Sequence, residues 1–283
     1  MNMTVSGFST ASTIEPQPRP DRGEWPGARR AVAAARPSLA AIVASLHGRT
    51  GKTLLARVLA DYFVLAGNRP LVFDTDATEH ALHGWFPYDT VVTDLGETRD
   101  QMTLFDTLAA RAPEARVVDV SHHVFRKFFR LVQDCHFVAE ARSRQVEPVI
   151  FYIADRNPDA YEEGRLLRER FAECALVLVE NEFIGRVKDI TRRSAGYRAF
   201  ETHDLCMTLP LLDRAVMDLI EESNVSLSDV MSKPLSRSDD ARSTGLGFEQ
   251  RAAVRGWLVQ VFRALHQLIR AIEQRAPAVL DPI

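Results

Sequence analysis

The sequence has few cysteines, no long apolar run and no excess of charge of one sign. Its three cysteines are too widely spaced for a disulfide framework and are typical of a reducing compartment. They are Cys135, Cys174 and Cys206. No stretch approaches the roughly 20 consecutive apolar residues of a membrane span. Since the N-terminal residues also lack the pattern of a secretory signal, we expect a cytoplasmic protein.

The charges nearly cancel, because 35 Lys and Arg stand against 38 Asp and Glu for a formal net charge of −3. Such a total gives no overall attraction to nucleic acid or to a charged membrane, so any such contact requires a local patch. Hydrophobic residues make up 46% of the 283 residues, which argues against wholesale disorder and provides ample apolar surface for a core.

Composition divides the chain into four parts. Residues 1–37 are interrupted by prolines and are predicted to be a flexible tail. Residues 38–222 alternate short apolar runs with amphipathic stretches, which predicts an α/β fold with a doubly wound, mostly parallel sheet and helices on both faces. Residues 223–247 are a predicted linker, and residues 248–283 contain a predicted C-terminal amphipathic helix.

Six strands and five helices are predicted in the central part, residues 38–222. The strands, apolar on both faces as in a covered parallel sheet, are residues 39–46, 70–74, 115–120, 148–154, 175–179 and 205–209. The helices are residues 52–66, 99–110, 124–141, 158–172 and 211–222. Asn157 as N-cap and Pro158 at the first position predict the start of the fourth helix.

The strongest chemical signal lies between the first strand and the first helix, where the chain reads His47-Gly48-Arg49-Thr50-Gly51-Lys52-Thr53-Leu54. This is the context of a phosphate-binding loop, in which glycines allow a tight turn and amides at a helix start face phosphate oxygens. Lys52 is expected to reach the β- and γ-phosphates, and the Thr53 hydroxyl to ligate Mg²⁺. Leu46 replaces the usual first glycine of the motif, and a Gly-containing loop with a solvated lysine is the alternative.

Acidic residues end the next two predicted strands. Asp74 and Asp76 follow the second strand at the sheet edge where doubly wound folds bind ligands, and are predicted to share a metal or to position a water. A β-turn that uses Asp is the alternative for this pair. Asp119 ends the third strand in the Walker B arrangement, which holds Mg²⁺.

The order of these motifs resembles that of the ParA/MinD class of deviant-Walker ATPases, which includes partition, division-site and conjugation-associated members. The resemblance covers about residues 39–222 and includes strands followed by Asn181 and by Pro210. It implies that ATP and Mg²⁺ bind, that Asp76 orients the attacking water, that Asn181 reads adenine, and that the loop at Pro210 lines the base pocket.

The sequence departs from this family at two points. The family's signature lysine, which reaches across a nucleotide-sandwich dimer, falls on His47, and Arg49 is the other candidate for that contact. The proline that follows the family's Walker B acid is absent, and Val120-Ser121-His122 stands there. His122 and His123 are predicted to serve a loop or helix entry rather than a metal, because adjacent histidines point apart.

The resemblance implies a slow ATPase switch that forms an ATP-dependent homodimer and binds DNA non-specifically or a protein cargo. The alternatives are an ATP-dependent small-molecule kinase or ligase of the same fold and a nucleotide sensor with little hydrolysis.

A basic stretch near the end of the central part is either a DNA-binding patch or a solvated, partner-facing loop. Its cations are Arg186, Lys188, Arg192, Arg193 and Arg198.

The C-terminal helix carries apolar residues that alternate in steps of four and three. They are Val254, Leu258, Val261, Leu265, Leu268 and Ile272. Three roles fit this pattern: docking on its own domain, pairing with a partner or a second copy, and lying in a membrane interface. Docking on its own domain is the commonest outcome for such a helix, and peripheral membrane contact is not favoured.

Overall fold

The computed structural model describes residues 38–86, 90–203, 205–223, 226–232 and 246–275. The predicted N-terminal tail, most of the predicted linker and residues 276–283 lie outside these ranges.

Seven strands form a single sheet within the described residues. They are β1 Ser38–Ala44, β2 Leu71–Asp74, β3 Thr90–Val92, β4 Arg116–Asp119, β5 Val146–Ala154, β6 Ala175–Asn181 and β7 Cys206–Leu209. The order is β3-β2-β4-β1-β5-β6-β7, and every pairing is parallel. This confirms the predicted α/β fold class and all six predicted strands, with shifted bounds. The sequence pattern does not predict β3, which is three residues long and only partly buried.

Ten α-helices are described. They are α1 Lys52–Leu65, α2 Thr98–Ala109, α3 Phe125–Asp134, α4 Phe137–Ser143, α5 Pro158–Arg170, α6 Asp189–Arg192, α7 Ala195–Arg198, α8 Arg214–Ser223, α9 Leu227–Ser232 and α10 Phe248–Arg275. A 3₁₀ turn, Glu182–Ile184, follows β6. None of the described helices combines the length and apolar character needed to cross a membrane.

The sheet separates two apolar cores, because alternate residues of each strand point to opposite faces. In β1, Ala41 and Val43 face the core that contains α1, α8, α9 and α10, whereas Ala40 and Ile42 face the core under α2, α3, α4 and α5. Both faces of the central strands are therefore covered, which explains why their sequences are apolar throughout.

Local backbone geometry changes two of the predicted elements. The helix predicted over residues 124–141 is divided into α3 and α4, because His136 adopts a left-handed conformation with φ of 51° between them. Pro158 does start α5, but the Asn157 side chain does not cap it. The Asn157 amide and side-chain nitrogen both donate to Asp155 instead, at 2.7 and 3.1 Å.

The C-terminal part of the chain packs on the domain that contains the sheet. Part of the predicted linker forms α9, whose Leu227 and Val230 are buried in the core beside α1, because this short apolar turn finds a partner surface there. In α10, the six apolar residues of the predicted four-and-three pattern form an apolar seam, and all six are buried in the same core. Of the three predicted roles of this helix, docking on its own domain is the one found in the structure.

Candidate functional site

The phosphate loop occupies residues 45–51, between β1 and α1, at the carboxyl edge of the sheet. Arg49 and Gly51 both have left-handed backbones, with φ of 58° and 92°. At Gly51 a side chain is also excluded by space, since a Cβ there would lie 2.5 Å from Asn181 Nδ2. The loop therefore needs glycine at this position for both conformation and packing.

Lys52, the first residue of α1, lies back along the loop. Its Nζ donates to the carbonyl oxygen of His47 at 3.1 Å, and the side chain is largely buried. Burial lowers the pKa of the Lys52 ammonium, while the charges of Asp119 and Asp76 oppose that shift. The Lys52 ammonium is thus held close to two carboxylates at the carboxyl edge of the sheet.

Asp119, at the end of β4, contacts the start of α1. The Thr53 hydroxyl donates to Asp119 Oδ2 at 2.6 Å, whereas the buried Asp119 Oδ1 has no hydrogen-bond partner among the described residues. Burial raises the pKa of Asp119 to about 7, against the lowering effect of the Thr53 hydrogen bond. An orphaned carboxylate oxygen beside a hydroxyl is the donor set that Mg²⁺ prefers, so the residues fit a Mg²⁺ ion.

Asp74 and Asp76 lie beside Asp119, since Asp74 and Asp119 are paired in register between β2 and β4. The Asp74 carboxylate accepts the amides of Asp76 and Leu82 at 2.9 and 3.0 Å, and so shapes the following loop. Burial raises the pKa of Asp74. Its role as a metal ligand remains a prediction.

Asp76 is held by three hydrogen bonds. Its Oδ1 accepts the amides of Thr78 and Glu79 at 3.1 Å each, and its Oδ2 accepts the Ser121 hydroxyl at 3.0 Å. Although burial acts to raise the pKa of Asp76, these hydrogen bonds and the charge of His123 hold the pKa below its ordinary value. Asp76 therefore remains ionised and can orient a water molecule, but it is a weak base.

A cavity of about 430 Å³ brings these residues together. It is lined by Gly48, Arg49, Lys52, Thr53, Asp74, Asp76, Glu79, Ala81, Asp119, Ser121, His122 and His123. The sequence-based interpretation did not include Glu79, Ser121, His122 or His123 in the site. His122 lies against the loop, 3.1 Å from where a Cβ of Gly48 would be. Burial, followed by the charges of His123 and Lys52, lowers the pKa of His122.

The residues predicted to contact the base lie on the other side of the loop. The Asn181 side chain donates to the Thr50 carbonyl at 3.0 Å and accepts the Phe183 amide at 3.1 Å. The Pro210 carbonyl accepts the indole N–H of Trp257 from α10 at 2.7 Å. Leu54 packs partly buried against the core of α1. Adenine recognition by Asn181 and Pro210 remains a prediction.

His47 does not point into the main cavity. Its Nδ1 lies 2.7 Å from Asp155 Oδ2, and its Nε2 lies 3.4 Å from Asp159 Oδ2. Arg49 is exposed and lines both the main cavity and a smaller one of about 150 Å³ next to Asp155 and Arg156. The two candidates for the signature cation therefore differ. Carboxylates of the same chain hold the His47 ring, whereas no contact of Arg49 with a carboxylate is found among the described residues.

Comparison with known proteins gives structural matches only. No protein-family model matches the sequence, and no curated protein is significantly similar to it. The MinC:MinD cell division protein complex of Aquifex aeolicus matches with a TM-score of 0.46 at 11% identity, over 80% of this chain and 96% of that chain.

Two further matches are of the same kind. The septum site-determining protein MinD complexed with Mg-ADP from Pyrococcus horikoshii matches with a TM-score of 0.40 at 17% identity, over 84% of this chain and 99% of that chain. A plasmid partition protein from Borrelia burgdorferi matches with a TM-score of 0.39 at 14% identity, over 62% and 89%. The chain is thus similar to partition and cell-division proteins of the ParA/MinD type, while its fold class rests on its own sheet order and loop geometry.

Proposed function

We propose that this chain is an ATP-binding switch of the ParA/MinD type, which hydrolyses ATP slowly and is used in DNA or plasmid partition, conjugation or intracellular positioning. One observation carries the proposal: Lys52, Thr53 and Asp119 converge on a single cavity at the carboxyl edge of the sheet, with one Asp119 oxygen unpartnered among the described residues. Burying a cation and an unsatisfied carboxylate lowers the stability of the fold unless a ligand compensates both charges. A nucleotide phosphate with its Mg²⁺ does so, because the phosphate oxygens match Lys52 and the metal ion matches Asp119.

In this proposal each residue has a defined task. The loop amides and Lys52 bind the phosphate oxygens, and the Thr53 hydroxyl and Asp119 hold Mg²⁺. When bound, the metal ion neutralises charge on the phosphates. Asp76 orients a water without taking its proton readily, since its hydrogen bonds keep its pKa low. Slow hydrolysis suits a switch, whose action depends on the lifetime of its bound state.

The same weak base also favours one alternative, a nucleotide sensor with little hydrolysis. The two functions differ in whether phosphate is released after ATP binds. We expect measurable but slow phosphate release from the wild type in a single-turnover assay. Tight ATP binding without any phosphate release over hours would assign the chain to the sensor class.

The nucleotide switch is tested by gel filtration with and without ATP and Mg²⁺. We expect the wild type to elute as a larger species only when both are present, and the Lys52→Ala variant to elute at the small size in every condition. Lys127→Ala, which removes an exposed lysine from α3, is the matched control and should behave as the wild type. A wild type that remains monomeric with saturating ATP and Mg²⁺ would contradict the dimer.

The basic stretch of residues 186–198 is the surface that we propose for non-specific DNA. Its five cations are exposed around the short helices α6 and α7. Replacing Arg192 and Arg193 together by Glu should weaken DNA binding and reduce the salt slope by about two, one for each lost phosphate contact. DNA affinity that is unchanged in this variant would show that this surface does not bind DNA, and would leave the solvated or partner-facing loop as its interpretation.

A further inference from the structure

His47 connects the phosphate loop to the next strand of the sheet. Its two ring nitrogens face two different carboxylates, Asp155 just after β5 and Asp159 in the first turn of α5. Asp155 is itself fixed, because its carboxylate accepts the amide and the side-chain nitrogen of Asn157. The histidine is therefore held by an anchored partner rather than by a mobile surface acid.

The same residue also contacts the phosphate-binding lysine. The His47 carbonyl accepts Lys52 Nζ at 3.1 Å, so the position of the His47 backbone sets where Lys52 lies. On the far side of the loop, Asn181 donates to the Thr50 carbonyl at 3.0 Å. The loop is thus held from two sides, and the left-handed residues Arg49 and Gly51 lie between these two contacts or next to them.

His47, Asp155 and Asp159 also bring three potential metal ligands within 4.8 Å of one another. The hydrogen bond between Nδ1 and Asp155 and the longer 3.4 Å contact between Nε2 and Asp159 account for the arrangement without an ion. A metal ion on either nitrogen would have to displace one of these contacts. Since Asp159 is exposed, the Asp155 contact is the stronger of the two.

We propose that His47 is a positioning residue, which holds the phosphate loop in its binding conformation through Asp155 and, more weakly, through Asp159 of the same chain. Its ring is then not available to reach a nucleotide in a second copy. The consequence for affinity rests on the proposed function, but the effect on the loop itself does not. Holding a strained loop before the ligand arrives lowers the cost of ordering it on binding.

The effect on the loop is measured by hydrogen exchange of residues 45–54 in the nucleotide-free protein. We expect His47→Ala to speed exchange of these amides by about tenfold, as for the loss of one hydrogen bond to a charged group. His83→Ala, which removes an exposed histidine, is the control and should leave the loop unchanged. Unchanged loop exchange in a folded His47→Ala protein would overturn the proposal.

Four conservative variants, two of them at His47, test the geometry. The amide nitrogen of Asn lies near the position of imidazole Nδ1, and that of Gln lies near the position of Nε2. We therefore expect His47→Asn, which can keep the Asp155 contact, to retain ATP affinity within about threefold, and His47→Gln and Asp155→Asn to lose about tenfold. Asp159→Asn should have a smaller effect than Asp155→Asn. Equal losses in His47→Asn and His47→Gln would overturn the assignment to Asp155.

The two proposals fail in different ways. If the wild type binds no ATP but loop exchange is faster in His47→Ala, the positioning role stands and the proposed function falls. If ATP binds and neither exchange nor affinity depends on His47, the reverse holds. Zn²⁺ provides a last arm: slower loop exchange with Zn²⁺ in the wild type, but not in His47→Ala, would show a metal site and overturn the hydrogen-bonded arrangement.

Discussion

Replacing Asp119 by Asn is expected to lower Mg²⁺-dependent ATP turnover by about 100-fold or more and, at the same time, to stabilise the metal-free protein. The two effects have one cause. Asp119 is buried beside Asp74, and one of its oxygens has no hydrogen-bond partner among the described residues. A negative charge in this position is unfavourable despite the nearby Lys52 ammonium, because burial outweighs that attraction, and it becomes useful only when a metal ion binds.

The pH dependence of the stability follows from the direction of the pKa shift. Burial raises the pKa of Asp119 from 3.8 to about 7 in the folded protein, so between these values the folded state binds more protons than the unfolded state. Stability therefore falls as pH rises through this window, and the loss is complete above about pH 7. A shift of this size corresponds to about 4 kcal/mol as an upper bound.

Thermal unfolding in EDTA at pH 5 and at pH 8 measures this effect. We expect Asp119→Asn to gain about 2 kcal/mol over the wild type at pH 8 and less than about 1 kcal/mol at pH 5, where only part of the charge penalty has developed; the neutral amide retains the contact with Thr53. Asp106→Asn, an exposed position on α2, is the control and should change neither stability nor turnover. An Asp119→Asn protein that is less stable than the wild type at pH 8 would show that the carboxylate is satisfied in the folded state.

Much of the fold could be predicted because a parallel strand covered by helices on both faces consists almost entirely of apolar residues. Most of the six predicted strands are apolar on both faces, and five predicted amphipathic stretches lie between or after them, so many strand and helix positions are visible from the sequence. In β7, by contrast, Cys206 and Thr208 are exposed on one face. The break at His136 could not be predicted, since nothing local distinguishes a left-handed histidine from a helical one. The strand β3 is too short and too exposed to give an apolar run.

The cluster formed by the loop, Thr53 and Asp119 could be predicted from the sequence, because all of them lie at or just beyond the carboxyl ends of parallel strands, which meet at one edge of the sheet. Their roles in phosphate and metal binding stay predictions. Residues that complete the site depend on which strands are neighbours. Only the sheet order, with β1 between β4 and β5, places His122 against Gly48 and Asp155 against His47. The amino-acid sequence does not reveal the order of the strands in the sheet, so these contacts between distant segments could not be predicted from it.

The second large effect is expected at Trp257, where α10 docks on the domain. Its ring is buried in the core that contains α1, and its indole N–H donates to the Pro210 carbonyl at 2.7 Å. Trp257→Ala removes both the apolar contact and the hydrogen bond, and should lower the free energy of unfolding by about 3–5 kcal/mol. Denaturant unfolding of the full chain measures the change.

Two companion variants separate the causes. Val259→Ala changes an exposed residue of the same helix and should cost less than about 0.5 kcal/mol. Trp257→Phe keeps most of the apolar contact but loses the hydrogen bond, and should cost about 1 kcal/mol more than Val259→Ala. If Trp257→Ala were no more destabilising than Val259→Ala, α10 would not be docked in solution, and its apolar seam would be free for a partner.

Trp257→Phe also tests whether α10 is coupled to the nucleotide. Because Pro210 belongs to the loop that we predict to line the base pocket, freeing its carbonyl should loosen that loop and weaken ATP binding by a few-fold, about the effect of one neutral hydrogen bond. GTP or a base-free triphosphate provides the comparison, since neither depends on adenine recognition. An equal loss of affinity for ATP and for inorganic triphosphate would place the effect in the phosphate loop instead, and would separate α10 from base recognition.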